Sequence, residues 1–331
     1  MSGLERRYHR LLRAYPAEYR RARGAEIVGT YLDLAGPGRR WPSPADAADL
    51  LRGGLRQRLR AAGAADLIPG VRLAAVLAFL TATALAAVWS TLEMHPPPAK
   101  WVPGAGPFVS LGIGVWAAWL LAAVVHAAGP GRWTRRAVAF ALLLTVAVVP
   151  VAALSGLPRP PLSVLLPQLG LGLVALGLPE RLPAPLRAAP LLAVGVAGLA
   201  GVNLLFRHDS YGSYYGWTAS QVLPGAAVVL LVVALLIGTG LALRADHRGG
   251  WALLVLLTPV GLLFLHPLAG AIDGNMRGAP NPGWSALAAS AVVVGLAGPA
   301  LLPLAITLRK RLRRPAPAEP ASRCPTCGTH R

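Results

Sequence analysis

Eight stretches of this chain are apolar enough, for long enough, to call for lipid rather than water around them. They are Leu73–Leu92, Phe108–Ala128, Ala137–Leu157, Leu162–Leu178, Ala188–Phe206, Ala219–Leu243, Trp251–Gly270 and Ala286–Leu308. A helix covers the hydrocarbon core with about 20 apolar residues, within a range of about 17–25. Only helices and closed barrels satisfy their backbone polar groups in lipid, and none of these runs has the period-2 alternation of a barrel strand. The expected fold is therefore all-α: a polytopic transmembrane helical bundle of about eight spans. Composition agrees, since charged residues make up 14% of the chain and mean hydropathy is +0.54.

Arginine sets the expected orientation, because loops on the cytoplasmic side carry the excess of positive charge. With the N-terminus inside, the inner loops hold Arg132, Arg135, Arg136, Arg181, Arg187, Arg244 and Arg248, and the outer loops hold Lys100, Arg159, Arg207 and Arg277. Arg309, Lys310, Arg311, Arg313 and Arg314 follow the last run directly, so both ends belong inside and the number of crossings is even. The weakest run is the fourth, which is short and contains Pro167 and Gln168; six crossings is the alternative. The implied organisation is a cytosolic basic helical module over 1–66, a transmembrane domain over 67–308 and a basic cytosolic tail over 309–331. The first 70 residues are too charged for a cleavable leader, so the first span is expected to act as an uncleaved anchor in the cell membrane.

Chemistry is sparse within the spans. Pumps and coupled transporters place ionisable groups at mid-membrane depth, where their cost is offset by function. Here Glu93, His126 and His266 all fall near span ends. The remaining intramembrane polar candidates are Gln168 and Asn203, beside helices interrupted by Pro259, Pro299 and Pro303; broken helices of this kind can frame a solute site. The glycines of "GVAGLAG" (Gly195, Gly198, Gly201) predict a helix–helix contact face. No zinc-protease, nucleophile-elbow or phosphate-loop motif occurs, and no catalytic residue is expected.

The basic N-terminal segment reads as three short amphipathic helices. Leu4, Tyr8, Leu11, Leu12 and Tyr15 share one helical face, with Arg6, Arg7, Arg10 and Arg13 off it. Pro16 closes that helix and opens a second, which buries Tyr19, Val28, Tyr31, Leu32 and Ala35. Gly36–Pro37–Gly38 stops the second, and Ser43–Pro44 with Asp46 begins a third. Along the third helix Ala48, Leu51, Leu55, Leu59 and Ala62 form an apolar stripe, and Arg52, Arg56 and Arg60 form a basic one. A domain of this size is marginal alone and gains support from a surface. Anionic lipid headgroups of the bilayer explain the arginines, at about 1 kcal/mol for each Arg near the leaflet. A cytosolic regulator explains the ordered tyrosine and leucine faces, and the two occupants are compatible. Tyr8, Leu11, Leu12, Tyr15, Leu51, Leu55, Arg52, Arg56 and Arg60 are the candidate contact residues. Nucleic acid is disfavoured as a partner, because the positive-inside bias already accounts for the charge.

Three quoted segments carry a resemblance: "RLLRAYP" (Arg10–Pro16), "YRRARGAEI" (Tyr19–Ile27) and "ADLLRGGLRQRL" (Ala48–Leu59). With them the first 60 or so residues look like the N-terminal module of actinobacterial multi-pass integral membrane proteins. They are also similar to the helical prefix domains ahead of some bacterial permeases, and to HAAS-type signalling modules associated with PadR-type transcriptional regulators. The resemblance implies a cytosolic helical adapter on a membrane body and brings no catalytic residue with it. Prefix-bearing permeases of the ABC type carry a large extracytoplasmic domain between early spans, which this chain lacks.

The chain closes on "CPTCGTHR", in which Cys324 and Cys327 resemble one knuckle of a zinc ribbon and His330 adds a third ligand type. Structural zinc takes four ligands, so a dimer or partner would complete such a site; the alternative is a frayed tail with two reduced thiols. Taken together, the residues point to a non-enzymatic membrane scaffold or signalling protein acting through its N-terminal module. A transporter or permease component is the alternative, and an intramembrane enzyme comes third.

Overall fold

A computed structural model describes residues 3–36, 38–94, 105–129, 131–207, 214–273 and 283–312. Their regular structure is helical, with one isolated bridge between Ala105 and Phe108. The helices are α1 (Gly3–Leu11), α2 (Ala17–Asp33), α3 (Pro44–Ala61), α4 (Leu67–Glu93), α5 (Gly112–Ala128), α6 (Arg132–Ser155), α7 (Leu162–Ala175), α8 (Ala184–Arg207), α9 (Tyr214–Ala242), α10 (Arg248–Leu263), α11 (Leu265–Ile272) and α12 (Trp284–Leu312), with a 3₁₀ turn at Leu12–Ala14. They form two compact units, residues 1–65 with 303–331 and residues 66–302.

In the first unit, α1, the 3₁₀ turn, α2 and α3 enclose a small core of Leu4, Tyr8, Leu12, Tyr15, Val28 and Leu50. The α3 start is a capping box, as the Ser43–Pro44–Asp46 spacing predicts. The Asp46 N–H donates to Ser43 Oγ at 3.0 Å, and the Ser43 N–H donates back to Asp46 Oδ2 at 3.1 Å.

The second unit is built around α4, which packs against α5, α7, α8 and α10. Ala74, Ala78, Ala82, Ala86 and Ser90 recur every four residues along α4, and all are buried. This small-residue ridge lets neighbouring helices approach closely. Three buried hydroxyls are satisfied within their own helices: Thr83 donates to the Phe79 carbonyl at 2.9 Å, Ser90 to the Ala86 carbonyl at 2.7 Å and Thr145 to the Ala141 carbonyl at 2.7 Å. The reverse faces expose large apolar side chains, among them Leu143 and Leu154 on α6, Leu192 and Val196 on α8, and Val293 and Leu296 on α12. Water disfavours such a surface and lipid favours it.

Contacts at the helix ends make successive helices antiparallel. The start of α5 meets the end of α4 at Glu93 and Ser110. The Leu111 N–H donates to the Pro158 carbonyl at 3.0 Å, bringing the segment before α7 to that same end of the unit. The segment after α7 reaches the opposite end, where Glu180 pairs with Arg135 at 2.8 Å near the start of α6. The end of α8 lies on the end of α4, with Gly201 against Thr91 and Val88. Tyr215, in the first turn of α9, meets Trp116 of α5 at 3.0 Å. Gly70 of α4 lies against Trp251 of α10, so those two helices start together. Gly261 faces Val294 and Gly298 faces Thr258, which sets α12 antiparallel to α10.

Of these helices, α4, α6, α8, α9 and α12 are long and apolar enough to cross a membrane, and α10 with α11 makes a sixth if the bent pair counts as one. α5 and α7 are apolar but shorter, at 17 and 14 residues. The expected interruptions at Pro259, Pro299 and Pro303 do not end their helices. The break falls instead between Leu263 and Leu265, with a bend of 60°. Pro267 explains it: its nitrogen cannot donate to the Leu263 carbonyl, and its ring crowds that carbonyl. Of the three glycines expected to form a contact face, Gly201 makes the close approach; a Cβ at Gly195 or Gly198 would meet open space.

Candidate interaction surface and a buried carboxylate

The N-terminal candidates separate into two groups. Tyr8, Leu12 and Tyr15 are buried in the core of the first unit, and Leu11 packs half-buried against it. The face expected to meet a partner thus meets α2 and α3. Helical periodicity identifies an apolar face without saying what it covers. Hydrogen bonds fix the tyrosines: Tyr8 Oη donates to Asp46 Oδ2 at 3.0 Å, and Tyr31 Oη donates to Asp49 Oδ2 at 2.5 Å. Burial, then the bond to the carboxylate, raises both phenols above their ordinary value. Bonds to the side chain and backbone of Ser43 hold Asp46 below the usual carboxylate range.

α3 presents a different face inward from the one its leucines predict. Leu50 and Gly54 are buried, and Gly53 lies against the hydroxyl end of Tyr15. Leu51 and Leu55 remain 50% and 57% exposed. Arg52, Arg56 and Arg60 are exposed beside them. Arg58, on the same helix, turns inward, its Nε donating to the Ala14 carbonyl at 2.6 Å and its Nη2 to the Arg13 carbonyl. It closes the end of the 3₁₀ turn, so the basic stripe is built from the other three. Trp41 adds a second exposed apolar group, 67% exposed, with the Arg7 guanidinium 3.1 Å from its ring centroid.

The two intramembrane amides are not brought together. Gln168 is buried in α7, where Nε2 donates to the Ala82 carbonyl of α4 at 3.1 Å and Oε1 has no partner among the described residues. Asn203 lies on an exposed part of α8 and donates to the Leu199 carbonyl of its own helix at 2.9 Å. Cys324, Cys327 and His330 lie outside the described residues, and among the described residues no three His, Cys, Asp or Glu side chains cluster as metal ligands would.

The densest polar cluster was not among the sequence candidates. Glu93, the last residue of α4, is fully buried. Its Oε2 accepts the Ser110 N–H at 2.7 Å, and its Oε1 accepts the hydroxyls of Ser110 and Tyr215. The Ser110 hydroxyl in turn accepts the Gly112 N–H at 3.0 Å, and the Tyr215 hydroxyl accepts the Trp116 indole N–H at 3.0 Å. Trp89 walls the site, its ring centroid 5.6 Å from that of Tyr215 and 6.4 Å from that of Trp116. A Cβ on Gly112 would fall 2.6 Å from Glu93 Oε1, so the close fit depends on glycine there. No described cation forms an ion pair with this carboxylate. The positive poles of α5 and α9, whose first turns face it, supply the compensating field. In the sequence the signal was a lone acid ending an alanine-rich run, with no indication that residues 17 and 122 positions later would converge on it. In comparisons with protein families, curated proteins and solved structures, the chain matches none.

Proposed function

We propose that this chain is a non-enzymatic cell-membrane scaffold or signalling protein whose N-terminal module docks a cytosolic regulator through α3. The carrying observation is the surplus on that helix. The module closes its own core, yet Leu51 and Leu55 stay half-exposed among Arg52, Arg56 and Arg60. Exposed leucines flanked by arginines fit a partner with an apolar, acidic face, or anionic lipid headgroups, better than they fit water. The segment resemblance to prefix and HAAS-type modules gives the same reading.

The membrane part of the proposal is eight crossings with both termini cytoplasmic. The antiparallel contacts support it, since the ends of α7 meet opposite ends of the unit. The arginine distribution supports it independently.

A photo-crosslinking residue in place of Leu55, in the full chain in its native membrane, tests the docking. A discrete adduct with a cytosolic protein is expected, lost when Arg52, Arg56 and Arg60 are replaced by Glu. Adducts with lipid alone would assign the surface to the leaflet, and labelling confined to its own chain would overturn the proposal. The transport reading rests on the unpartnered Gln168 Oε1. Loss of uptake of a solute in Gln168→Leu, at unchanged expression, would favour it.

A further inference from the structure

We infer that the connection between α2 and α3 is a membrane anchor: Trp41 and Leu34 enter the headgroup layer of an anionic leaflet, and the arginines beside them meet its phosphates. Leu34 and Trp41 are 74% and 67% exposed, more than Leu51 and Leu55 of α3. Leu34 follows the last turn of α2, and Trp41 lies two residues before the Ser43 cap of α3. On the stretch that joins them, Leu34, Gly36, Gly38 and Arg39 line one open depression.

The indole is not left to swing. Arg7 of α1 donates through Nη1 to the Arg40 carbonyl and lays its guanidinium 3.1 Å from the Trp41 ring centroid. Arg39 Nη1 donates to Asp46 Oδ2 at 3.3 Å, and the same oxygen accepts the Ser43 N–H. The chain is thus fastened on both sides of Trp41, while the ring itself stays mostly in water. Such fastening buries little apolar surface, so the module's own core does not account for it. It lowers the ordering cost of an outside contact, because the side chain is already held in place.

Chemistry and connectivity both select lipid as the occupant. An indole has an apolar body and a polar N–H, and it favours the boundary between hydrocarbon and headgroups. Arg7 has exposed neighbours on α1, Arg6 and Arg10, and the connection adds Arg39 and Arg40. The acids of these stretches are Glu5, Asp33 and Asp46, and Asp46 is already engaged by Tyr8, Ser43 and Arg39. The balance is positive, which suits anionic headgroups. Residues 62–66 alone separate α3 from α4, a helix long and apolar enough to cross a membrane. A link of that length spans at most about 20 Å, so a leaflet is always within the module's reach. Tethering of this kind raises the effective concentration of the surface, an advantage that a cytosolic protein lacks. The anchor shares no residue with the α3 surface proposed for a regulator and does not depend on it; it rests on α4 crossing a membrane.

The test uses the full chain in lipid nanodiscs, with Cys324 and Cys327 replaced by Ser and a nitroxide spin label on Gly36→Cys. A Cβ at Gly36 meets no atom within 4 Å, so the label disturbs little. Both leaflets of a disc hold the same lipid, so the outcome does not depend on which compartment the module faces. Collision with oxygen reports immersion of the label, and collision with a water-soluble nickel chelate reports its exposure. In discs containing phosphatidylglycerol the label should be immersed. In phosphatidylcholine alone, or after Trp41→Ala, it should return to water. Arg40→Gln keeps the carbonyl that Arg7 uses and should lower the immersed-to-aqueous ratio about fivefold, the worth of one arginine near the leaflet. Equal immersion in the two lipids, or with and without the indole, would overturn the anchor. Immersion kept in Trp41→Ala but abolished by Leu51→Ser with Leu55→Ser would also overturn it, and would assign the lipid to α3. Protection that requires an added cytosolic protein would make a protein the occupant instead. Because Trp41 lies outside the module's core, its replacement leaves that core intact, and the comparison of the two lipids needs no substitution of Trp41.

Discussion

Asp46 shows how much a single side chain can organise in a module this small. Its Oδ2 accepts from Tyr8, from the Ser43 N–H and from Arg39, and its N–H is capped by Ser43 in return. Replacing Ser43 by Ala should cost about 1 kcal/mol, the usual worth of a helix N-cap. Hydrogen exchange of the amides in the first turn of α3 should then run roughly fivefold faster in the full chain. The dependence on pH has a definite sign. The bonds from Ser43 hold the folded-state value of Asp46 below that of an ordinary aspartate, so its contribution is present above the ordinary value and fades as pH falls through the folded one. Asp46→Asn should therefore differ from the parent in thermal stability at neutral pH and converge with it in strong acid; a constant gap would refute the assignment. The cap was legible because Ser, Pro and Asp stand at fixed short spacings. The Tyr8 bond was not, because nothing local joins positions 38 residues apart.

α3 also shows how an element can be identified correctly and its orientation missed. Its apolar residues predict a stripe through Leu51 and Leu55, but the helix turns Leu50 and Gly54 inward. Periodicity weighs the side chains that are present, whereas close packing here selects for the absence of one. A Cβ on Gly54 would fall 2.6 Å from Ala14 Cβ and 2.8 Å from the Ala14 carbonyl carbon, neither of which can rotate away. Gly54→Ala should therefore push α3 off the 3₁₀ turn at a cost of about 1–3 kcal/mol, the range for overpacking. At Gly53 the nearest atom is the hydroxyl of Tyr15, the free end of a side chain, so Gly53→Ala should cost less. Limited proteolysis between α2 and α3 ranks the two; the opposite order would show that the close contact is not what seats the helix. The α10–α11 break was misplaced for a related reason. A proline acts on the carbonyl four residues before it, so Pro267, and not Pro259, marks the bend.

For the whole molecule, the decisive question is whether α7 runs from one side of the bilayer to the other. At 14 residues it is about 21 Å long, short of the roughly 30 Å hydrocarbon core. Hydropathy alone therefore left the fourth run in doubt, and with it the even count that places head and tail in one compartment. Contacts at its ends add what length could not. Pro158 lies beside the α5 start, Glu180 beside the α6 start, and the non-helical stretches on either side of α7 make up the distance. Burial of Ser163, Gln168 and Leu171 among other helices also removes the need for a long lipid-facing surface, which is what hydropathy measures. Single cysteines at Leu157 and at Arg181, in the chain with Cys324 and Cys327 replaced by Ser, separate the alternatives. In intact cells a membrane-impermeant thiol reagent should reach Leu157→Cys, while Arg181→Cys should label only after permeabilisation. Equal labelling of both would mean that α7 returns to the side it came from. The crossings would then be odd in number, and the basic segments before α4 and after α12 would lie on opposite faces, against the bias that retains arginine on the cytoplasmic side.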